Sequence, residues 1–300
     1  MRCAMAAWWR PSPVPEAGRA QVKHNDFWRW GAGVLAGVAT HLLFALTVWP
    51  LFWFLAGQPP NEPLPVDARY QGWALAGNAL AAIAFAVPHS VLLHPSTRNR
   101  LKARISPAFY GLFFCVATCV TLLLVIATWQ TSPVVAVEFT GLPRMLVQAG
   151  FYGSWLSLFY SLHLGGLGWQ TGFTPWWAWV RNAPAPRRDF EVRSLYRWLR
   201  HPIYLSFLGL IWCNPRFTLD RVVLLGVWTV YIFVGSWLKD RRLVRSIGDP
   251  YRSYMREVPG YPLMPAGPLA RVPAPSREPS TDQLPFPAPS DCATVRPRAA

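Results

Sequence analysis

The sequence predicts an all-α fold: a polytopic integral membrane bundle of about six transmembrane segments that ends in a C-terminal helical hairpin, N-in and C-in. Three observations carry this reading. Only 14% of the 300 residues are charged and 52% are hydrophobic, whereas a soluble domain carries about 25% charge. Apolar runs of span length recur, and a hydrocarbon core roughly 30 Å thick takes about 20 helical residues. The loops between these runs alternate between basic and nearly neutral, the pattern of the positive-inside rule.

The first element, residues 1–30, carries Arg2, Arg10, Arg19, Lys23 and Arg29. It has no continuous apolar core, so it is not a secretory signal peptide. The first run, Ala32 to Gly57, holds His41 as its only ionisable residue, and a helix–helix hydrogen bond is its expected role. The second, Gln71 to Leu93, ends in FAVPHSVLL. The third, Pro107 to Trp129, has no charge after Pro107 and carries Cys115 and Cys119 one helical turn apart; these read as small buried hydrophobes. The fourth spans Met145 to Gly168. Ile203 to Cys213 is apolar but only about 17 Å long as a helix. A turn, NPRFTLD, and a further run from Val222 to Leu238 then complete a hairpin.

Charge completes the topology. Arg98, Arg100, Lys102 and Arg104 follow the second run; Arg181, Arg187, Arg188, Arg193, Arg197 and Arg200 follow the fourth; Lys239, Arg241, Arg242 and Arg245 follow the last. The alternate loops are nearly neutral, which places the basic ones in the cytoplasm of a bacterial inner membrane. Arg200, Arg216, Arg221 and Lys239 are positioned to snorkel from the helix ends. Trp176, Trp177 and Trp179 lie in a cytoplasmic loop and are expected to dip into the headgroup layer. The net charge of +15, from 29 basic and 14 acidic residues, is read as topology. Long uncharged runs speak against a nucleic-acid partner. Residues 31–261 form the folded transmembrane domain, and the Pro-rich stretch 262–300 reads as a disordered tail.

At the entry to the hairpin, residues 196–204 read YRWLRHPIY. A hairpin returns its ends to one side, so His201, Pro202 and Tyr204 are expected to face Asp240, Arg241 and Tyr251. This arrangement, followed by IGDPYRSYMREVP, resembles the isoprenylcysteine carboxyl methyltransferase group. The likeness is nearest the methanethiol S-methyltransferase-type branch, through FAVPHSVLLHPSTRNRLKARISP, LFYSLHLGGLGWQ and the hairpin itself. It covers about Phe85 to Pro262. The resemblance implies S-adenosyl-L-methionine as cofactor, bound by Tyr196, Arg200, His201, Pro202, Tyr204, Asp240 and Tyr251. Two departures stand out: Lys239–Asp240 replaces a pair of glutamates, and Ser194 replaces a glycine.

Methyl transfer to a thiol needs the thiolate, because that is the nucleophile. A neutral histidine is a suitable base. His89 and His163, near the cytoplasmic ends of the second and fourth spans, are the catalytic candidates, with His94 behind them. Each also has a bland reading as a helix-end histidine bonded to a carbonyl or headgroup. Arg200 has two readings, anion binding and snorkelling. No spacing suits a metal. The partners expected are the lipid bilayer and a small or lipophilic methyl acceptor, most simply a thiol; oligomeric state leaves no mark in the sequence. Two other functions compete. A non-catalytic membrane protein of the same fold, of the denitrification-associated type, is motivated by Lys239. An NADPH-dependent membrane reductase shares a similar C-terminal helical arrangement.

Overall fold

A computed structural model describes residues 27–58, 71–184 and 190–272. Its helices are α1 (Phe27–Leu55), α2 (Gln71–Leu93), α3 (Pro95–Lys102), α4 (Tyr110–Thr128), α5 (Gly141–Leu164), α6 (Leu167–Gln170), α7 (Phe173–Val180), α8 (Pro202–Trp212), α9 (Leu219–Ile247) and α10 (Asp249–Glu257). A 3-10 turn, Ser194–Arg197, precedes α8, and two short strands, β1 (Val135–Glu138) and β2 (Arg216–Thr218), pair antiparallel. Four helices, α1, α2, α4 and α9, are long and apolar enough to cross a membrane, as an integral membrane protein requires. Six crossings were expected. α5 has the length, 24 residues, but Arg144, Gln148, Ser154, Ser157 and Ser161 lower its hydropathy. α8 is only 11 residues long.

Those polar residues of α5 have a packing role. α5 lies along α8, and the seam is lined by small side chains. The Ser206 hydroxyl donates to Ser157 Oγ at 2.9 Å. A Cβ on Gly209 would stand 2.1 Å from Ser154 Oγ. Small residues let helix backbones approach closely where no hydrophobic force drives association. The main core joins Phe54, Val125, Phe151, Leu210, Leu224 and Trp228 from five helices.

Trp176 departs from expectation. It is 4% exposed and packs on α1, where its indole N–H donates to the Gly33 carbonyl at 2.9 Å. Gly37 makes the room, since a Cβ there would sit 1.9 Å from the Trp176 ring. An indole with one apolar body and one donor finds a better partner in a helix backbone carbonyl than in the headgroup layer. Trp177, at 43% exposure, keeps the outward position. Gly37→Val should therefore destabilise the protein by about 1–3 kcal/mol through overpacking. Thermal unfolding in detergent checks this, with Gly31→Ala as a control, because nothing lies within 4 Å of a Cβ at Gly31.

His41 also differs. Its Nδ1 lies 2.7 Å from the carbonyl of Gly37 on its own helix, and its ring packs against Phe173 and Trp176. Cys115 and Cys119 are buried free thiols, as read from the sequence.

The tip of the hairpin is fastened to the rest of the bundle. β2 pairs with β1, with Val137 opposite Phe217. Asn214 Nδ2 donates to the Leu55 carbonyl at 3.0 Å. The buried Asp220 accepts from the Trp129 indole and the Ser132 amide, both at 2.9 Å. Arg221 does not snorkel; it is buried, with its guanidinium 4.9 Å from the Phe54 ring centre. This clamp fixes how α8 and α9 leave the tip, and so how their other ends meet.

Candidate active site where the hairpin closes

α9 has 29 residues, about 43 Å of helix, and so outlasts a hydrocarbon core of roughly 30 Å. Its far end carries Lys239, Asp240, Arg241 and Arg242. Gly248, at φ 77, ends it, a left-handed position that glycine adopts without Cβ strain. Pro250 lies in the first turn of α10, where a missing N–H costs nothing. α10 then folds back, which aims Tyr251 at Asp240. On the other arm, Pro202 opens α8 in the same way, with His201 as the preceding residue.

The two arms meet at Asp240, which is 2% exposed. The Tyr251 hydroxyl donates to Asp240 Oδ1 at 2.5 Å. His201 Nε2 stands 3.1 Å from the same oxygen, and Arg200 Nη2 stands 3.2 Å from Oδ2. Burial pushes the Tyr251 phenol up, and the facing carboxylate acts in the same direction, so the phenol keeps its proton and donates it. For His201, burial lowers the imidazole below its ordinary range and outweighs the opposing effect of Asp240; Lys239 and Arg200 lower it further. The ring is neutral near pH 7. Its Nδ1 is buried without a hydrogen-bond partner among the described residues.

Arg200 is neither a snorkelling residue nor an open anion site. It is 1% exposed. Its guanidinium donates to the carbonyls of Met255 (3.1 Å), Val258 (3.2 Å) and Ala270 (3.2 Å), while its own amide donates to the Pro259 carbonyl at 2.9 Å. The five donors of a guanidinium suit such a multiple anchor. Residues 255–270 are thereby strapped across the site, and Leu269 and Ala270 are buried. The packed chain thus continues past Tyr261, although this stretch was expected to begin the disordered tail. Residues 273–300 of that tail, the segment 1–26, the nearly neutral loop with Glu62 and Asp67, and Arg187 and Arg188 lie outside the described residues.

Aromatic rings surround His201. Tyr204 packs edge-on at 5.5 Å between centroids, and Tyr261, from the strap, lies at 5.7 Å. The Tyr261 hydroxyl is hydrogen-bonded to Ser236 on α9. The face of Tyr204 holds a cation, Lys239 Nζ, 5.4 Å from its centre. Tyr196 contributes through its carbonyl, which accepts from Tyr254 at 2.5 Å; its phenol points instead toward the Ser161 carbonyl on α5, 3.5 Å away.

The two catalytic candidates separate. His163 is exposed on the last turn of α5, and the contacts of Asp240 do not include it. His94 serves as the residue before α3, without a side-chain cap. His89 is half-buried on α2, facing α4 and α9. Phe114, Phe85 and Tyr231 surround its ring at centroid distances of 4.9, 5.5 and 6.3 Å. One turn further along α9 from Tyr231 is Gly235, against which Tyr204 packs, 3.5 Å from an added Cβ. Arg242 ties the same end of α9 to α2 by donating to the Leu93 carbonyl at 3.0 Å. Neighbouring turns of α9 therefore carry Tyr231 against His89 and Gly235 against Tyr204, which in turn packs on His201. Tyr231, Tyr261 and Thr118 were not singled out in the sequence, and Arg242 was read there only as a topology charge. Tyr231, Lys239 and Arg242, polar residues at helical spacing on one face of α9, were the available signal for Tyr231.

Fold and site together define a helical membrane protein with a buried cluster of charged and aromatic side chains at one end of its C-terminal hairpin. The chain matches the family described as NnrU protein over residues 79–266, and it belongs to that family. It is 30% identical to methanethiol S-methyltransferase 1 of Bradyrhizobium diazoefficiens over 75% of this chain and 79% of that one. It is 28% identical to the methanethiol S-methyltransferase of Mycobacterium tuberculosis over 75% of this chain and 93% of that one. The methanethiol S-methyltransferase of a Pseudomonas strain, GM41(2012), is 28% identical over 76% of this chain and 88% of that one. No solved structure matches the chain.

Proposed function

We propose that this chain is a membrane methyltransferase that uses S-adenosyl-L-methionine and methylates a small thiol, of which methanethiol is the simplest. Its site faces the cytoplasm of a bacterial inner membrane, and α5 and α8 complete six crossings with both termini inside. One observation carries the reading: His201, Tyr204, Asp240 and Tyr251, from segments about forty residues apart in sequence, converge on one buried spot. The names of the relatives support the reaction class.

The residues present suit such a cofactor. Asp240 and the unpartnered His201 Nδ1 offer an anion and a hydrogen-bonding atom for its amino-acid portion. The rings of Tyr204 and Tyr261 offer faces for positive charge, as Lys239 already illustrates. When bound, the cofactor supplies an electrophilic methyl group on a sulfonium. Tyr204 borders that position beside His201, and the aromatic side chains around His89 would hold the acceptor. His89 would take the proton of the acceptor thiol and leave a thiolate, to which the methyl would pass as its bond to the sulfonium sulfur breaks and a neutral thioether leaves. The strap 255–270 keeps water out of the charged pocket, so it opens for cofactor entry.

A second reading has its own support. Lys239 stands where the resemblance leads one to expect a carboxylate, and Asp240 is already approached by Tyr251, Arg200 and His201 of the same chain. On that reading the pocket is a structural knot and the protein is not catalytic. Calorimetric titration with S-adenosyl-L-methionine in detergent separates the two. Saturable heat, together with labelled-methyl transfer to a panel of thiols, lipid acids and phenols, supports the enzyme. Absence of heat at millimolar concentration overturns it. Methyl transfer restored to an inactive protein by Lys239→Glu would instead mark a decayed enzyme.

A further inference from the structure

The environment of His89 specifies more than its position. Its Nδ1 lies 3.3 Å from the hydroxyl of Thr118 on α4. That hydroxyl also lies 2.8 Å from the carbonyl of Phe114, one turn earlier on the same helix. A threonine hydroxyl has one proton to give and lone pairs to receive with. The shorter contact goes to a carbonyl, which can only accept, so the hydroxyl proton is committed there. Such back-bonding to the residue four positions earlier is a common state for threonine inside a helix. Toward His89 the hydroxyl is left as an acceptor. A neutral imidazole facing an acceptor through Nδ1 must carry its proton on Nδ1, and its lone pair is then on Nε2.

We infer that Thr118 is a positioning residue, whose hydroxyl fixes His89 in the Nδ1–H tautomer and so leaves Nε2 as the basic nitrogen. The consequence for thiol activation rests on the function proposed above; the tautomer itself does not. The arrangement has the form of an oriented base: a ring nitrogen that accepts a proton, while the other is held by the hydrogen bond it donates to a neighbouring element. Phe114 contributes twice. Its carbonyl takes the threonine proton, and its ring packs on His89 at 4.9 Å, which resists rotation of the imidazole away from Thr118. Tyr231 lies edge-on to the imidazole, with an interplanar angle of 88°, and encloses another side.

The test separates the tautomer from turnover. The full chain, labelled with 15N-histidine in detergent, carries six histidines, and the His89 signals are those lost in His89→Gln. Protonated Nδ1 and unprotonated Nε2 are expected in the wild type, and a mixture or reversal in Thr118→Val, which keeps the shape and loses the hydroxyl. Thr118→Ser should restore the wild-type pattern. In the methyl-transfer assay Thr118→Val should lower kcat about tenfold to a hundredfold and leave donor affinity unchanged, and Thr118→Ser should recover most of it. A proton on Nε2 in the wild type overturns the inference whatever the activity. So does an unchanged tautomer in Thr118→Val. Correct tautomers throughout, in a protein that binds no donor, would overturn the proposed function and leave the assignment of Thr118 standing.

Discussion

Replacing Asp240 with alanine is expected to destabilise the protein by about 3–5 kcal/mol, the usual result of stripping one partner from a buried ion pair. The cost does not come chiefly from lost attraction. The Arg200 side chain is fully buried beside Asp240, and its three carbonyl partners hold it there. With the carboxylate gone, a guanidinium charge remains in the interior without a counter-ion. The Tyr251 hydroxyl loses its acceptor at the same time. Unfolding followed in detergent should show the loss; Arg200→Met with Asp240→Leu removes both charges together but also strips the Met255, Val258 and Ala270 carbonyls of their donor, so it should recover only part of it. Asp240→Asn keeps the shape but also leaves Arg200 without a counter-ion and turns one acceptor oxygen into a donor, so it should destabilise as well, and donor binding should weaken about tenfold to a hundredfold. An Asp240→Ala protein that melts like wild type would show that solvent reaches the pocket and that the ion pair is not buried in solution.

The same residues explain what the sequence could and could not disclose. The meeting of His201 with Asp240 was legible because a hairpin has simple geometry: two apolar arms joined by a turn must return their charged ends to one side. The role of Arg200 was not. Snorkelling is the correct default for an arginine at a helix end, and what overrides it here is a set of carbonyls from residues 255, 258 and 270. The last of these lies in the Pro-rich stretch from 262 onward, whose composition alone reads as unfolded. Its apolar content is too low to fold by itself, but one buried cation with several donors suffices to order it. A comparable argument covers α5. Its serines lower the hydropathy that identifies a span, yet they line the seam with α8, so what weakens the lipid signal strengthens helix packing. Trp176 was read as an interfacial residue because its destination is set by the room at Gly37 and the carbonyl of Gly33, and a glycine stripe does not announce its partner.

For His89→Gln, kcat with an ordinary thiol is expected to fall by about 10²–10⁴ while the affinity for S-adenosyl-L-methionine is unchanged. The asymmetry follows from the layout. The donor-side groups His201, Tyr251 and Arg200 each contact Asp240, whereas the contacts of His89 are with Phe85, Phe114, Thr118 and Tyr231. Removing the imidazole therefore takes away a proton acceptor without disturbing the charged pocket. A thiol with a pKa near 8.5 is mostly protonated at pH 7, so its reaction depends on the base. A more acidic aromatic thiol is already largely thiolate and needs none. The loss in kcat should shrink steadily as acceptor pKa falls, and the mutant's rate with ordinary thiols should rise with pH as solvent does the ionising. His163→Gln, on the exposed end of α5, should follow the wild-type profile. An equal loss for all thiols would mean that His89 shapes the acceptor site but does not ionise the acceptor, and a pH-independent mutant rate would exclude it as the base.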